Sequence, residues 1–273
     1  GSGLQFTYLD KAASEWRTSL SGEYRLNRVN LPALLGRDAY FKDDIFHVSG
    51  AVEWNPSTEW VWHAGLMIER HSDTDSTYFS PRLALNWVPS SAHTFRIGVS
   101  HGASALGLYA GNTDIKLTIN GNLYDQMHLS VNELDAEKIN SSELGYLFNK
   151  PEWGLNLDAR AFHNKIYDIV GVDWIAVPAD IYDGKSRTYV NESTVTLRGL
   201  EYQLRWRPSR HSWLMLSQSW ISTESDYGKT YPNSVPKHAL SLLATHRVAS
   251  IDVSLGYYHI EKLRWVGGES DSE

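Results

Sequence analysis

The residues best able to do chemistry are the histidines, 11 in all, with the serines and carboxylates beside them. His71, Asp73 and Asp75 crowd one short stretch, and oxygen-rich clusters of that kind bind divalent cations. No full ligand set and no glycine turn follow, so a solvated acidic loop tip is the preferred reading. His101-Gly102-Ala103-Ser104 sets an imidazole near a hydroxyl, and His211-Ser212 sets the two side by side. Such a pair can activate a serine nucleophile. Neither stands in the strand-turn-helix context of a G-x-S-x-G elbow, and no H-E-x-x-H helix offers a metal site. With no cysteine in the chain, disulfide frameworks, thiolate metal sites and cysteine nucleophiles are excluded. A net charge of −7 leaves no basic footprint for nucleic acid. No cofactor is expected, and no covalent chemistry is required of these residues.

What the chain repeats instead is a strand pattern. Residues 190–220 show it best. Val195, Leu197, Leu200, Tyr202, Leu204 and Trp206 are apolar, while Arg198, Glu201, Gln203, Arg205 and Arg207 are polar. The period is two, with one slip at Gly199, where a bulge is expected, and a turn at Pro208-Ser209. Similar alternation marks residues 4–9, 16–26, 45–54, 60–68, 78–87, 94–100, 137–148, 155–162, 240–245 and 252–257. About twelve strands and no convincing helix result. Short turns alternate with long connections at residues 28–43, 101–136, 171–189 and 222–235. An up-and-down sheet then has all its short turns at one end and its long loops at the other, the asymmetry of transmembrane barrels.

Tryptophan and tyrosine number 11 and 15 against 7 phenylalanines, which favours rings that sit at a wet–greasy boundary. Trp54 with Trp60, Trp87 with Phe95, Phe148 with Trp153, and Trp206 with Trp213 each bracket a short turn, like a girdle. Ten charged residues share the parity opposite to the apolar face: Arg17, Glu23, Arg25, Glu53, Glu69, Arg96, Asp158, Arg160, Glu201 and Arg205. An Arg or Lys facing lipid near the midplane costs about 2–4 kcal/mol, so that face should be a wet lumen. The fold expected is all-β, an antiparallel up-and-down transmembrane β-barrel. Mean hydropathy is −0.38, which excludes a bundle of spanning helices but not a barrel, whose apolar face hides in the alternation.

Several stretches resemble the C-terminal barrel of TonB-dependent outer-membrane receptors. Phe79-Ser80-Pro81-Arg82-Leu83-Ala84-Leu85, then Trp87, Pro89 and His93-Thr94-Phe95-Arg96, is similar to one strand pair of that family. Glu137-Lys138 with Ser142-Glu143-Leu144-Gly145-Tyr146 resembles another, and Phe162 with Ile166-Tyr167-Asp168 the strand that follows it. Asn191 with Gly199-Leu200-Glu201, and Val235-Pro236-Lys237-His238, continue the likeness in order. The family's Arg and Pro after the position of Ser100 are missing from residues 102–108.

The resemblance implies a barrel of about 22 strands, of which this chain supplies part, as one partial barrel domain over residues 1–273. The plug domain and its TonB-binding box are expected to be missing, with early strands and the last two. The implied function is TonB-energised uptake of a scarce nutrient: a ferric siderophore, haem, cobalamin or a saccharide. The implied partners are the outer-membrane lipid bilayer of a Gram-negative bacterium, the TonB–ExbB–ExbD complex acting through the plug, and a small ligand such as a metal chelate. The outer-loop residues suited to ligand contact are Tyr109, Tyr124, His128, Trp174, Tyr182, Tyr189 and Tyr227, aromatics for stacking and a histidine for metal or haem. Two readings stand beside this one. A small self-contained barrel would be a porin, lipase or protease, and a soluble β-rich binding domain would be monodisperse without detergent.

Overall fold

Alternation over this many segments yields one antiparallel sheet. The computed structural model describes residues 2–13, 15–131, 133–226 and 230–264. The strands are β1 (Ser2–Ala13), β2 (Trp16–Val29), β3 (Phe41–Ser57), β4 (Trp60–His71), β5 (Ser76–Ser90), β6 (His93–Ser104), β7 (Asp114–Ile119), β8 (Asn122–Leu129), β9 (Glu137–Lys150), β10 (Leu155–Ala176), β11 (Lys185–Ser209), β12 (Ser212–Ser225), β13 (His238–Val248) and β14 (Ile251–Ile260). Twelve of the 14 follow one another as an up-and-down wall, β1 to β6 and then β9 to β14. The other two, β7 and β8, form a hairpin above it, joined to β11 through β8. Short helices α1 (Pro32–Leu35), α2 (Leu108–Asn112) and α3 (Thr230–Ser234) lie in three of the long connections. No described helix is long and apolar enough to cross a membrane. The edges β1 and β14 do not pair with each other, so the sheet is open.

The register fixes the two faces of the wall. Trp54, Trp62, Leu85, Ile97, Leu144, Ala161, Leu200 and Trp220 are paired in sequence across nine strands, beginning from Trp16 on β2. Their row is apolar and exposed, with Leu144 at 60 %. The opposite face carries the charges, joined across strands. Arg17 donates to Glu53 at 2.9 Å, Arg96 to Asp158 at 2.6 Å and Arg160 to Glu201 at 2.7 Å. A single sheet with bare apolar residues on one side and ion pairs on the other suits lipid outside and water or a plug inside. It does not suit a soluble sandwich, which would bury the apolar face.

At the short-turn end the aromatic girdle is continuous over several strands. Ring centroids are 5.3 Å apart for Trp16–Trp54, 5.8 Å for Trp60–Trp87, 5.3 Å for Trp87–Phe95 and 5.0 Å for Phe95–Tyr146. Trp213 is an exception to the expected brackets. Trp206 pairs with Leu214, and Trp213 pairs with Thr245 on the inner face. Three of the turns share a sequence, Trp-x-Pro-Ser, at residues 54–57, 87–90 and 206–209. In each the ladder slips between Trp and Ser, where proline's missing N–H is harmless. In each the serine hydroxyl accepts a backbone N–H two residues on, from Glu59, Ala92 or His211. The strand therefore runs through Pro208 and Ser209, and Arg210-His211 makes the turn.

Gly199 hosts no bulge; it pairs in register with Phe162. A Cβ there would stand 2.6 Å from the Phe162 ring, so the glycine makes room for the aromatic across the strand. The slip in the sequence marks a change of environment instead. Below Gly199 the apolar residues face outward. Above it Val195 and Leu197, on the inner parity, turn toward the loop layer, and Val195 is buried.

Candidate functional site

The long connections build a layer of their own at one end of the wall. Leu35, Phe41, Ile45, Ala136 and Val195 are the buried apolar residues among those described, and all lie at this end. The layer starts from a tight hairpin. Asn120 and Gly121 hold φ of 51° and 81°, the left-handed pair that a two-residue turn between β7 and β8 needs. That Asn-Gly was a legible hairpin signal within the stretch expected to be an unstructured connection. Likewise, β10 and β11 extend to Ala176 and Lys185, where residues 171–189 had read as loop.

Buried polar groups hold this layer together. The Gln126 side-chain amide donates to Asp114 Oδ1 at 2.9 Å, the His128 carbonyl at 3.0 Å and the Ile115 carbonyl at 3.2 Å. The Asp180 carboxylate accepts the backbone N–H of Gln126 and of Tyr182, each at 2.7 Å, tying the β10–β11 loop to β8. Those donors, Gln126 first, hold Asp180 below the usual carboxylate range. Asn191, part of the family-like stretch, clasps two connections. Its amide donates to the carbonyls of Asp168 at 2.6 Å and Asp135 at 2.9 Å, and its oxygen accepts the Asp135 N–H at 2.8 Å. Asp168 takes a positive φ of 58° at the register shift in β10 and pairs with Lys138 at 3.0 Å.

Six of the seven expected contact residues come together on this layer. Tyr189 packs against His128 with ring centroids 4.3 Å apart and planes tilted by 41°, and meets Tyr109 edge-on at 6.4 Å. Tyr124 and Tyr182 pair at 5.9 Å. Trp174 lies under the Arg187 guanidinium, 5.3 Å from ring centre to Cζ. Tyr182 and Trp174 are 64 % and 56 % exposed, whereas His128 is buried. Burial first, and the Arg187 charge second, push the His128 pKa down, so its ring is neutral at pH 7. It supports Tyr189 from beneath. Tyr227 lies outside the described residues.

The β4–β5 tip differs from the solvated acidic cluster expected there. His71 is buried, with Nδ1 2.8 Å from Asp43 and Nε2 3.0 Å from Glu69. Asp43 also accepts the N–H of Ser72 at 3.1 Å. Burial alone would lower the His71 pKa, but the bonds to Glu69 and Asp43 outweigh it and leave it above its usual value. Ligand atoms of Asp43, His71 and Asp73 lie within 4.8 Å of one another, yet both ring nitrogens are already held by carboxylates. Asp75 turns away to Arg70.

The serine–histidine pairs do not assemble a catalytic site. His101 and Ser104 stand three residues apart on β6 and so face opposite sides of the sheet. His101 Nδ1 meets Asn140 Oδ1 at 2.6 Å. Gly98-Val99-Ser100-His101-Gly102 spells the G-x-S-x-G letters, but it lies inside β6 with no strand-to-helix turn. Ser212 Oγ meets His246 Nδ1 at 2.7 Å on the exposed short-turn rim, and no described carboxylate orients that ring.

Known proteins account for this architecture. No curated protein matches the chain. Among solved structures, the siderophore receptor PirA of Pseudomonas aeruginosa is similar over 94 % of this chain and 47 % of its own, with a TM-score of 0.72 at 16 % identity. A mutant ferric enterobactin receptor PfeA of the same species, in complex with enterobactin, is similar over 96 % and 42 %, with a TM-score of 0.72 at 15 % identity. The FrpB iron transporter of Neisseria meningitidis is similar over 94 % and 41 %, with a TM-score of 0.66 at 13 % identity. The chain spans less than half the length of each. At these identities they establish the fold, and all three are receptors or transporters. The family profile described as "TonB dependent receptor-like, beta-barrel" matches residues 2–271, and the chain therefore belongs to the TonB-dependent receptor β-barrel family.

Proposed function

We propose that this chain supplies wall and outer loops to an outer-membrane receptor that imports a scarce chelated nutrient, in the manner of a ferric siderophore. In this reading the apolar face of the wall meets lipid and the inner ion pairs meet a plug domain. TonB, driven by ExbB and ExbD, moves that plug from the periplasm of a Gram-negative cell. The family and the receptors of similar fold support the reading. The observation that carries the ligand side is the loop layer: exposed Trp174 and Tyr182, with Arg187 over Trp174, set on a buried hydrogen-bonded base. Flat exposed rings beside a fixed guanidinium suit an anionic, aromatic chelate, which they can hold by stacking and by charge. The wall and its loops need no catalytic group for this task.

The test uses the full-length receptor. Trp174→Ala combined with Tyr182→Ala should weaken ferric-chelate binding at least about tenfold while leaving the barrel folded, since exposed aromatics contribute on the order of 1 kcal/mol each in contact. Unchanged affinity for every chelate that the parent receptor binds would remove these loops from the ligand site.

A further inference from the structure

The outward parity of a barrel wall should stay apolar across the whole membrane, and over most of this wall it does. Counted upward from the short turns, β3, β4 and β5 are still apolar outside at Phe46, Ile68 and Phe79. On β6, β9, β10 and β11 the outward face changes earlier. On β10 the outward residues Leu155, Leu157, Ala159 and Ala161 give way to His163 and Lys165. His163 stands about 20 Å above the turn for a tilted strand, inside the height of the usual apolar band.

The polar residues form one block, not a ring, and its rows run on to Thr196 on β11 and to Ser222 and Glu224 on β12. Ser142, His163 and Arg198 are neighbours in one row across β9, β10 and β11. His101, Asn140 and Lys165 are neighbours in the next row up, across β6, β9 and β10. Neighbouring strands lie about 4.8 Å apart, so each of these three-residue rows is roughly 10 Å wide and the two together cover about 14 Å. The block holds two permanent cations, Lys165 and Arg198, one carboxylate, Glu224, and several hydrogen-bonding groups. Lys165 meets no carboxylate among the described residues; its ammonium lies 4.7 Å from the Tyr167 ring centre. Arg198 reaches Glu224 at 3.6 Å, but both are more than half exposed, so the pair is weak and the guanidinium stays available. Asp168, the other nearby acid, is taken by Lys138 at 3.0 Å.

We propose that this block binds the phosphate-bearing headgroup of a lipid in the outer leaflet. The inference rests on the reading of this face as lipid-facing. A lysine and an arginine in the upper part of the apolar band, long enough to snorkel to the headgroups and flanked by imidazoles, an amide and a hydroxyl, complement a phosphate monoester or diester. The acyl chains of the same lipid would lie against the apolar residues below, Leu144, Ala161 and Leu200. One sector of the wall would thereby hold a resident lipid while the β3–β5 sector exchanges lipid freely.

The experiment places the full-length receptor in bilayer nanodiscs and titrates bis-phosphorylated lipid A, followed by native mass spectrometry. Lys165→Ser with Arg198→Ser should weaken retention roughly 30-fold, from about fivefold for each cation removed. Lys150→Ser, at the short-turn end, should leave it unchanged. Dephosphorylated lipid A retained as tightly as the phosphorylated form would overturn the proposal. So would inorganic phosphate that displaces the lipid at equal affinity, since the site would then serve a soluble anion. A receptor that never enters the bilayer would overturn the wall reading itself, and the lipid site with it.

Discussion

Strand β11 passes through two regions that stabilise themselves by different means. From Gly199 to Ser209 it is wall: Glu201, Gln203 and Arg205 face inward, Leu200, Tyr202 and Leu204 outward, and none is buried. From Lys185 to Val195 it is loop layer, with Ser186 and Thr188 fully buried and Ser193 and Val195 nearly so. The wall leaves its apolar face to be covered by lipid and its ion pairs to be covered by water or a plug. The loop layer carries its own core, and that core is largely hydroxyl, amide and carboxylate. Under the proposed function this division is useful. A ligand surface needs fixed geometry before the ligand arrives, while a wall needs only the right residue on the right side.

The largest test of the comparison is on the wall. Leu144→Arg should cost about 2–4 kcal/mol of folding free energy in vesicles, because it places a charge toward lipid near the midplane. Glu143→Gln, one residue away on the inner face, loses only part of a half-exposed pair with Arg160 at 3.8 Å and should cost about 1 kcal/mol or less. Equal costs, read from urea unfolding of the full-length receptor, would break the assignment of the two faces.

A smaller effect belongs to the loop layer. Gln126→Ala removes the donor that three acceptors share in a buried site. It should lower the stability of the β7–β8 hairpin by about 1–3 kcal/mol. Hydrogen exchange should show lost protection from Asp114 to Leu129 with the wall unchanged. Loss spread evenly through β9 to β12 would mean that the layer has no core of its own.

The same division explains what the sequence made legible. All twelve wall strands could be read, because lipid on one side and water on the other force strict alternation. The strand count fell short by β7 and β8, and the upper halves of β10 and β11 read as loop. There the covered positions on β11 are Ser186, Thr188 and Ser193, while Val172 and Trp174 on β10 are exposed. Small hydroxyl residues leave no hydrophobic period. Only Asn120-Gly121 announced the hairpin, through turn chemistry and not through pattern. The aromatic residues expected to contact a ligand could be picked out by type, since rings in long loops stand out. Their pairings could not, because Tyr109 and His128 meet Tyr189 only after two connections have packed together. The partner of His71 was hidden for the same reason: Asp43 lies on the neighbouring strand, 28 residues earlier.

Two histidines offer the finest discrimination, because acid should move them in opposite senses. His71 is raised by Glu69 and Asp43 against burial, so its contribution is fully present below its unfolded value of about 6.5. That contribution is lost as pH rises through the higher folded value, when the imidazolium between two carboxylates gives up its proton. His128 is lowered by burial and by Arg187, so the folded layer accommodates only the neutral ring. Its site is at full strength above about 6.5 and weakens as pH falls from there toward the folded value, because the unfolded chain then binds the proton more readily. Protection factors, corrected for intrinsic exchange, should therefore fall at Ser72 and Asp73 on raising the pH and at β8 on lowering it. Asp43→Asn should weaken the first trend, with Glu69 left as the one carboxylate on the ring, and leave the second intact. If both regions instead weakened in the same direction, the charged tip and the neutral aromatic core would not be the separate structures that their geometry describes.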